Sequence, residues 1–201
     1  MKTFSRLISS VFQPLLMPTF GVLLLFVYTN FGYQYPFWQI TAPVVLFSFA
    51  VPAVLIYMLY RFKVVSDLSL TVRQERFYPY LITLVSYSVM IMIYNKMQMP
   101  RWFVMLMAAT VSIMFIAILI TLMWKISAHM FGIGGLMGGA MAVSYLVEKT
   151  NPYWMFIGLF LLAGLIGASR LVLKRHTLPQ VFAGFVLGFA LSFAFVWIGV
   201  R

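Results

Sequence analysis

His129 and His176 are the two histidines of a chain of 201 residues, and cations flank both. His129 ends the run Trp124-Lys125-Ile126-Ser127-Ala128-His129. His176 lies in Ser169-Arg170-Leu171-Val172-Leu173-Lys174-Arg175-His176-Thr177-Leu178-Pro179-Gln180. An imidazole is the side chain for proton transfer near neutral pH, or for direct attack on phosphorus. Guanidinium forks bind phosphate oxygens bidentately and stabilise the charge that spreads over a transferring phosphoryl group. The three acids, Asp67, Glu75 and Glu148, all fall between apolar runs. Their scarcity excludes two-metal hydrolysis, paired-carboxylate acid/base work and relays of buried acids. With no Cys there is no disulfide framework and no thiolate zinc or redox site. What remains is an inventory for phosphoryl transfer without metal or cofactor.

The elements that position these residues follow from composition. The chain is 64% hydrophobic and 8% charged, whereas a soluble domain carries about 25% charged residues. It cannot cover a water-facing surface, so it is expected to be an all-α, multi-pass membrane protein. A helical span needs roughly 20 apolar residues. Apolar runs at 7–28, 39–60, 79–94, 102–124, 130–147, 153–169 and 179–200 give a compact bundle of six to seven spans, the third short and the fifth rich in glycine. Lys2 and Arg6 before the first run resemble a signal peptide, but Pro14 and Pro18 interrupt it and no small-x-small cleavage site follows, so it counts as a span. Residues 1–201 read as one domain without linker or repeat. The glycines of the fifth run point to close helix packing rather than a phosphate loop, which would end in Gly-Lys-Ser/Thr. Trp102, Tyr153 and Trp154 fit an interfacial aromatic belt.

Threading seven spans puts the amino terminus and loops 61–78, 125–129 and 170–178 on one face. Ten of the fourteen Lys and Arg residues lie there, and four on the other. That asymmetry would ordinarily put the first face in the cytoplasm. Charges held for chemistry do not report topology, however. Setting aside Arg73, Arg76, Lys125, Arg170, Lys174 and Arg175 leaves four cations on each face, and the charge rule then favours neither orientation. The net charge of +11 would suggest nucleic acid in a soluble chain. Spread over short membrane loops, it points instead to lipid headgroups or phosphate.

Spacing narrows the chemistry. Ser169-Arg170, five residues, His176, three residues, Gln180 resembles the third signature of the type-2 phosphatidic acid phosphatases, whose superfamily includes vanadium haloperoxidases and glucose-6-phosphatase. That signature ends in Asp where this chain has Gln180. Ser127-Ala128-His129 is similar to the second signature, Pro-Ser-Gly-His, with Ile126 and Ala128 replacing Pro and Gly. The nearest match to the first, Lys, six residues, Arg-Pro, is Arg76-Phe77-Tyr78-Pro79, with two residues inserted before the proline and Ser69 where the lysine would stand. The resemblance is strongest over 125–190 and weak over 73–79. All three segments fall on the basic face of a threading built without the family.

The resemblance implies that His176 attacks phosphorus to form a phosphohistidine and that His129 protonates the leaving group. It implies that Arg170, Ser127 and Ser169 hold the phosphoryl oxygens, that Arg76 is the arginine of the first signature, and that Lys125 or Arg73 replaces the missing lysine. Gln180 would orient His176 without a negative charge; Thr177-Leu178-Pro179-Gln180 equally fits a helix capping box. Ser127 is also placed as a helix N-cap. Arg76 reads equally well as an ordinary loop cation, and Lys174 and Arg175 as headgroup anchors. The expected function is a metal-independent membrane hydrolase acting on a lipid phosphate or prenyl pyrophosphate, with membrane lipids and no nucleic acid as partners. The alternative is an inactive member that binds or moves phospholipid. A bacterial inner membrane is the expected location, with the side faced by the site open.

Overall fold

The computed structural model describes residues 2–68, 70 and 72–201; Ser69 lies outside them. Among the described residues every regular element is helical. The longer helices are α1 (Lys2–Val11), α2 (Met17–Tyr28), α3 (Phe37–Arg61), α4 (Phe77–Lys96), α5 (Arg101–Met123), α6 (Ala128–Val147), α7 (Tyr153–Val172) and α8 (Leu178–Val200), and one helical turn, Phe31–Gln34, lies between α2 and α3. Together α1 and α2 make one of seven segments long and apolar enough to cross a membrane. The chain is a multi-pass membrane protein.

The prolines of the first segment break it without ending it. Pro14 opens a 3₁₀ turn, Pro14–Leu16, that tips α1 away from α2 and lays it along α7. In α1, Ser5 is buried while Phe4, Leu7 and Val11 are exposed, so one polar stripe turns into the protein. The third segment is longer than its apolar run suggests, because α4 takes up Phe77 and Tyr78 and runs on to Lys96. In α3, Pro43 removes a backbone donor and a π turn over Leu46–Ala50 follows. A hydroxyl takes up freed backbone, Ser86 Oγ donating to the Phe47 carbonyl at 2.6 Å; within the same π turn Ser48 Oγ meets Thr19 Oγ1 at 3.3 Å.

Helix α6 is the most buried segment, and its glycines explain how. A Cβ at Gly134 or Gly138 would strike the Phe185 or Phe189 carbonyl of α8, and one at Gly188 would strike the Phe131 carbonyl of α6. The two helices therefore touch backbone to backbone, which only missing side chains permit. Gly184 extends this seam to the basic face, where its Cβ would stand 2.9 Å from the Ser127 carbonyl oxygen. Among the described residues no glycine sits at positive φ. The left-handed positions that close α3, α4 and α7 are Lys63, Gln98 and Lys174.

Acids tie down loops on both faces. Glu75 accepts from the Ser66 amide and hydroxyl, both at 2.8 Å. Opposite, Glu148 accepts from the Asn30 side chain at 2.9 Å. Apolar clusters fill the space between, Phe31 stacking on Phe103 near the far face and Met17, Met130, Ile166 and Val181 packing beneath the basic one.

Candidate functional site

The end of α7 sets the geometry. Lys174 takes a left-handed conformation, φ 53°, while the Arg175 amide bonds back to the Arg170 carbonyl at 3.1 Å and the Lys174 amide to Leu171 at 2.9 Å. This is a Schellman reversal. It drops His176 under the last turn of α7, beside Arg170, and α8 starts at once.

His176 is buried, 8% exposed. Its Nδ1 donates to Gln180 Oε1 at 3.2 Å, and the same oxygen accepts the Thr177 amide at 3.2 Å within a capping box. The capping and orienting roles of Gln180 are thus filled together. An amide oxygen can only accept, so the ring proton stands on Nδ1 and the lone pair on Nε2. Burial lowers the His176 pKa to about 3, and the positive charges of Arg76, Arg170 and Lys125 act in the same direction; the Gln180 bond opposes them weakly. At neutral pH the ring is uncharged, with its lone pair on Nε2.

Lys125 follows the end of α5. Its pKa is lowered by burial first and then by Arg76, Arg175 and Arg170, with Asp67 acting oppositely. Arg76 lies buried in the 3₁₀ turn before α4, 5% exposed. It donates from Nε to the Leu70 carbonyl at 2.9 Å and from Nη1 to the Ile126 carbonyl at 3.1 Å, and Tyr80 bonds it from α4. Two of its three nitrogens are thus spent bracing loop 62–76 against the α5–α6 connection. It is a structural brace whose charge reaches both histidines.

Ser127 occupies the N-cap position of α6, but its hydroxyl makes no capping bond. Its backbone, φ −88° and ψ 106°, leaves the carbonyl to accept from Met130 and Phe131, while the fully buried Oγ has no partner. Arg170 Nε is likewise buried and unpartnered. Ser169 is buried in α7 and Arg73 is half-buried before the 3₁₀ turn; among the described residues the structure ties neither side chain to the cluster.

Sequence reasoning missed Ser9 and Tyr80. Ser9, on the inward stripe of α1, accepts from Arg170 Nη1 through its hydroxyl at 3.1 Å and from His129 Nε2 through its carbonyl at 3.0 Å. The amphipathic spacing of Ser5 and Ser9 marks an inward face but not what it meets.

Beside the cluster, a narrow apolar cleft opens between α2 and α5. Its floor is the second glycine track of α6, Gly132, Gly135 and Gly139, starting at Ala128. It reaches Tyr28 and Thr29 near the far face. From Ala128 to Ser144, which also lines it, the rise along α6 is about 24 Å, most of a hydrocarbon core roughly 30 Å thick.

Chemically, the arrangement offers a neutral imidazole nucleophile, a second imidazole, four cations and two unpartnered donors gathered at a membrane boundary. Among the described residues no three His, Asp or Glu side chains group as metal ligands. No protein-family model matches the chain, and neither a curated protein nor a solved structure matches it.

Proposed function

We propose that this protein is a membrane lipid phosphatase, a divergent relative of the type-2 phosphatidic acid phosphatases, acting on a lipid phosphate or prenyl pyrophosphate at a bacterial inner membrane. One observation carries the reading. Ser127 Oγ and Arg170 Nε are buried donors without acceptors, in a cluster of cations beside a histidine whose free lone pair is on Nε2. Buried donors are nearly always satisfied, so an anion bearing several acceptor oxygens completes the site. The adjoining cleft suits the hydrocarbon chain such an anion would carry.

The reaction runs in two displacements. His176 Nε2 attacks phosphorus, the bond from phosphorus to the lipid oxygen breaks, and that oxygen takes a proton from His129. Water then attacks the phosphohistidine, giving its proton to His129. The P–N bond breaks, its electron pair returns to Nε2, and inorganic phosphate leaves. Arg170 and Ser127 hold the equatorial oxygens throughout.

The test is phosphate release from phosphatidic acid, phosphatidylglycerol phosphate and a prenyl pyrophosphate in detergent with excess chelator. Release is expected from at least one, with a fall of at least about 10³ in His176→Ala and an acid-labile phosphoenzyme in the wild type. Equal release from His176→Ala would overturn the proposal. Vanadate binding that depends on Arg170, with no phosphoenzyme, would favour the second reading, a phospholipid-binding or lipid-moving protein. The uncharged Gln180 is the feature that supports that alternative.

A further inference from the structure

Ser9 belongs to none of the three signature segments, yet its two hydrogen bonds reach both His129 and Arg170. The contacts cross 120 and 161 residues of sequence, and one short helix delivers both. They differ in kind. The carbonyl of Ser9 can only accept, so His129 carries a proton on Nε2 whether its ring is neutral or charged. The proton that comes and goes must then use Nδ1. The hydroxyl of Ser9 accepts from Nη1 of Arg170 and so occupies one arm of the fork. The Nε edge of the same guanidinium is buried and unpartnered, which leaves it free for an oxyanion.

We propose that Ser9 is a positioning residue for the phosphoryl site: its carbonyl fixes the tautomer of His129, and its hydroxyl aims Arg170 so that the Nε edge meets the anion. The inference rests on the phosphatase reading and specifies the path of the proton within it. In the first step Nδ1 of charged His129 gives its proton to the departing lipid oxygen while Nε2–H stays on Ser9. In the second, Nδ1 takes a proton from the attacking water. Nε2 is never deprotonated, so Ser9 holds the ring in one orientation through both steps. The fold supports this arrangement. Helix α1 stops at Val11, ahead of the turn that Pro14 opens, Ile8 and Phe12 pack into the cluster of Met130, Ile166 and Val181, and α1 lies along α7. The carbonyl position is thereby set by apolar packing, while the aim of Arg170 depends on one hydroxyl.

Two measurements test it. With only two histidines in the chain, ¹⁵N-histidine NMR of the detergent-solubilised protein assigns both rings once His129→Asn is compared with the wild type. The two rings should show opposite neutral tautomers, Nε2–H for His129 and Nδ1–H for His176, and an Nδ1–H form of His129 overturns the proposal. Second, orthovanadate binding should weaken about 5- to 10-fold in Ser9→Ala, the loss of one charge-assisted bond. Ser9→Thr should restore it, and thermal unfolding should match the wild type in both. Unchanged vanadate binding in Ser9→Ala, with binding abolished in Arg170→Ala, overturns the role of Ser9 and leaves the phosphatase reading standing. Absence of vanadate binding by the wild-type protein overturns that reading and this inference with it.

Discussion

Gln180 Oε1 accepts two hydrogen bonds at once, from His176 Nδ1 and from the Thr177 amide, each at 3.2 Å. The first turn of α8 therefore fixes the ring of the proposed nucleophile. An uncharged acceptor directs the ring but does nothing to stabilise positive charge on it. Gln180→Glu keeps length and acceptor and adds that charge. We expect it to raise the His176 pKa and to increase phosphate release about 10- to 100-fold, given that an Asp→Asn change costs a serine protease triad about 10⁴. Turnover assays with an NMR titration of the ring check both effects. Unchanged turnover with a raised pKa would mean that His176 is not the nucleophile.

Acid should destabilise the protein through the same ring. The folded state holds His176 at a pKa of about 3 against an ordinary 6.5, so below pH 6.5 the unfolded chain binds the additional proton. Stability contributed by this group is intact above 6.5 and falls steadily as pH drops toward 3. Thermal unfolding in detergent across that range should show the decline, and His176→Gln should make it shallower.

Removing the Ser127 hydroxyl should move stability and binding in opposite directions. Its buried Oγ has no partner, and an unsatisfied buried donor costs about 1 kcal/mol or more. Ser127→Ala is expected to leave the empty protein equally or slightly more stable, while vanadate binding weakens roughly 5- to 10-fold. Chemical denaturation with and without vanadate separates the two. Loss of stability in the empty protein would show that the hydroxyl has a partner after all.

Glycines of one helix bundle should respond unequally to a methyl group. Gly138→Ala drives a Cβ into the Phe189 carbonyl and should lower stability by roughly 1–3 kcal/mol. Gly164, in α7, has nothing within 4 Å of its would-be Cβ, so Gly164→Ala should raise stability by about 0.5–1 kcal/mol. Thermal shift of the two variants side by side is the measurement.

Apolar runs of about twenty residues foretell the seven segments because the bilayer fixes their length and removes every alternative to a helix. Loop composition likewise foretells a basic face. The local geometry at 169–180 was readable for another reason: Arg170, His176 and Gln180 are held by one reversal and one cap, both short-range. What escaped depends on long-range contacts made by the backbone. Nothing in the letters of Ser9 says that its carbonyl meets His129, and Arg76 looks like any loop cation until Leu70 and Ile126 take its nitrogens. The unfilled hydroxyl of Ser127 escaped similarly, since a Ser before a helix ordinarily caps it. The cleft between α2 and α5 is a gap between elements, and hydropathy records elements only.

The reach of Ser9 also orders events in time. A ribosome delivers α1 first, His129 follows 120 residues later and Arg170 after 161. Until α7 has entered the membrane, the cations of the earlier loops lack Arg170 and its reversal, and α1 has no helix to lie along. A chain interrupted before Tyr153 is thus left with positive loops but without Arg170 and His176. On the proposed reading, phosphate binding would be gained only once α7 and the start of α8 are in place.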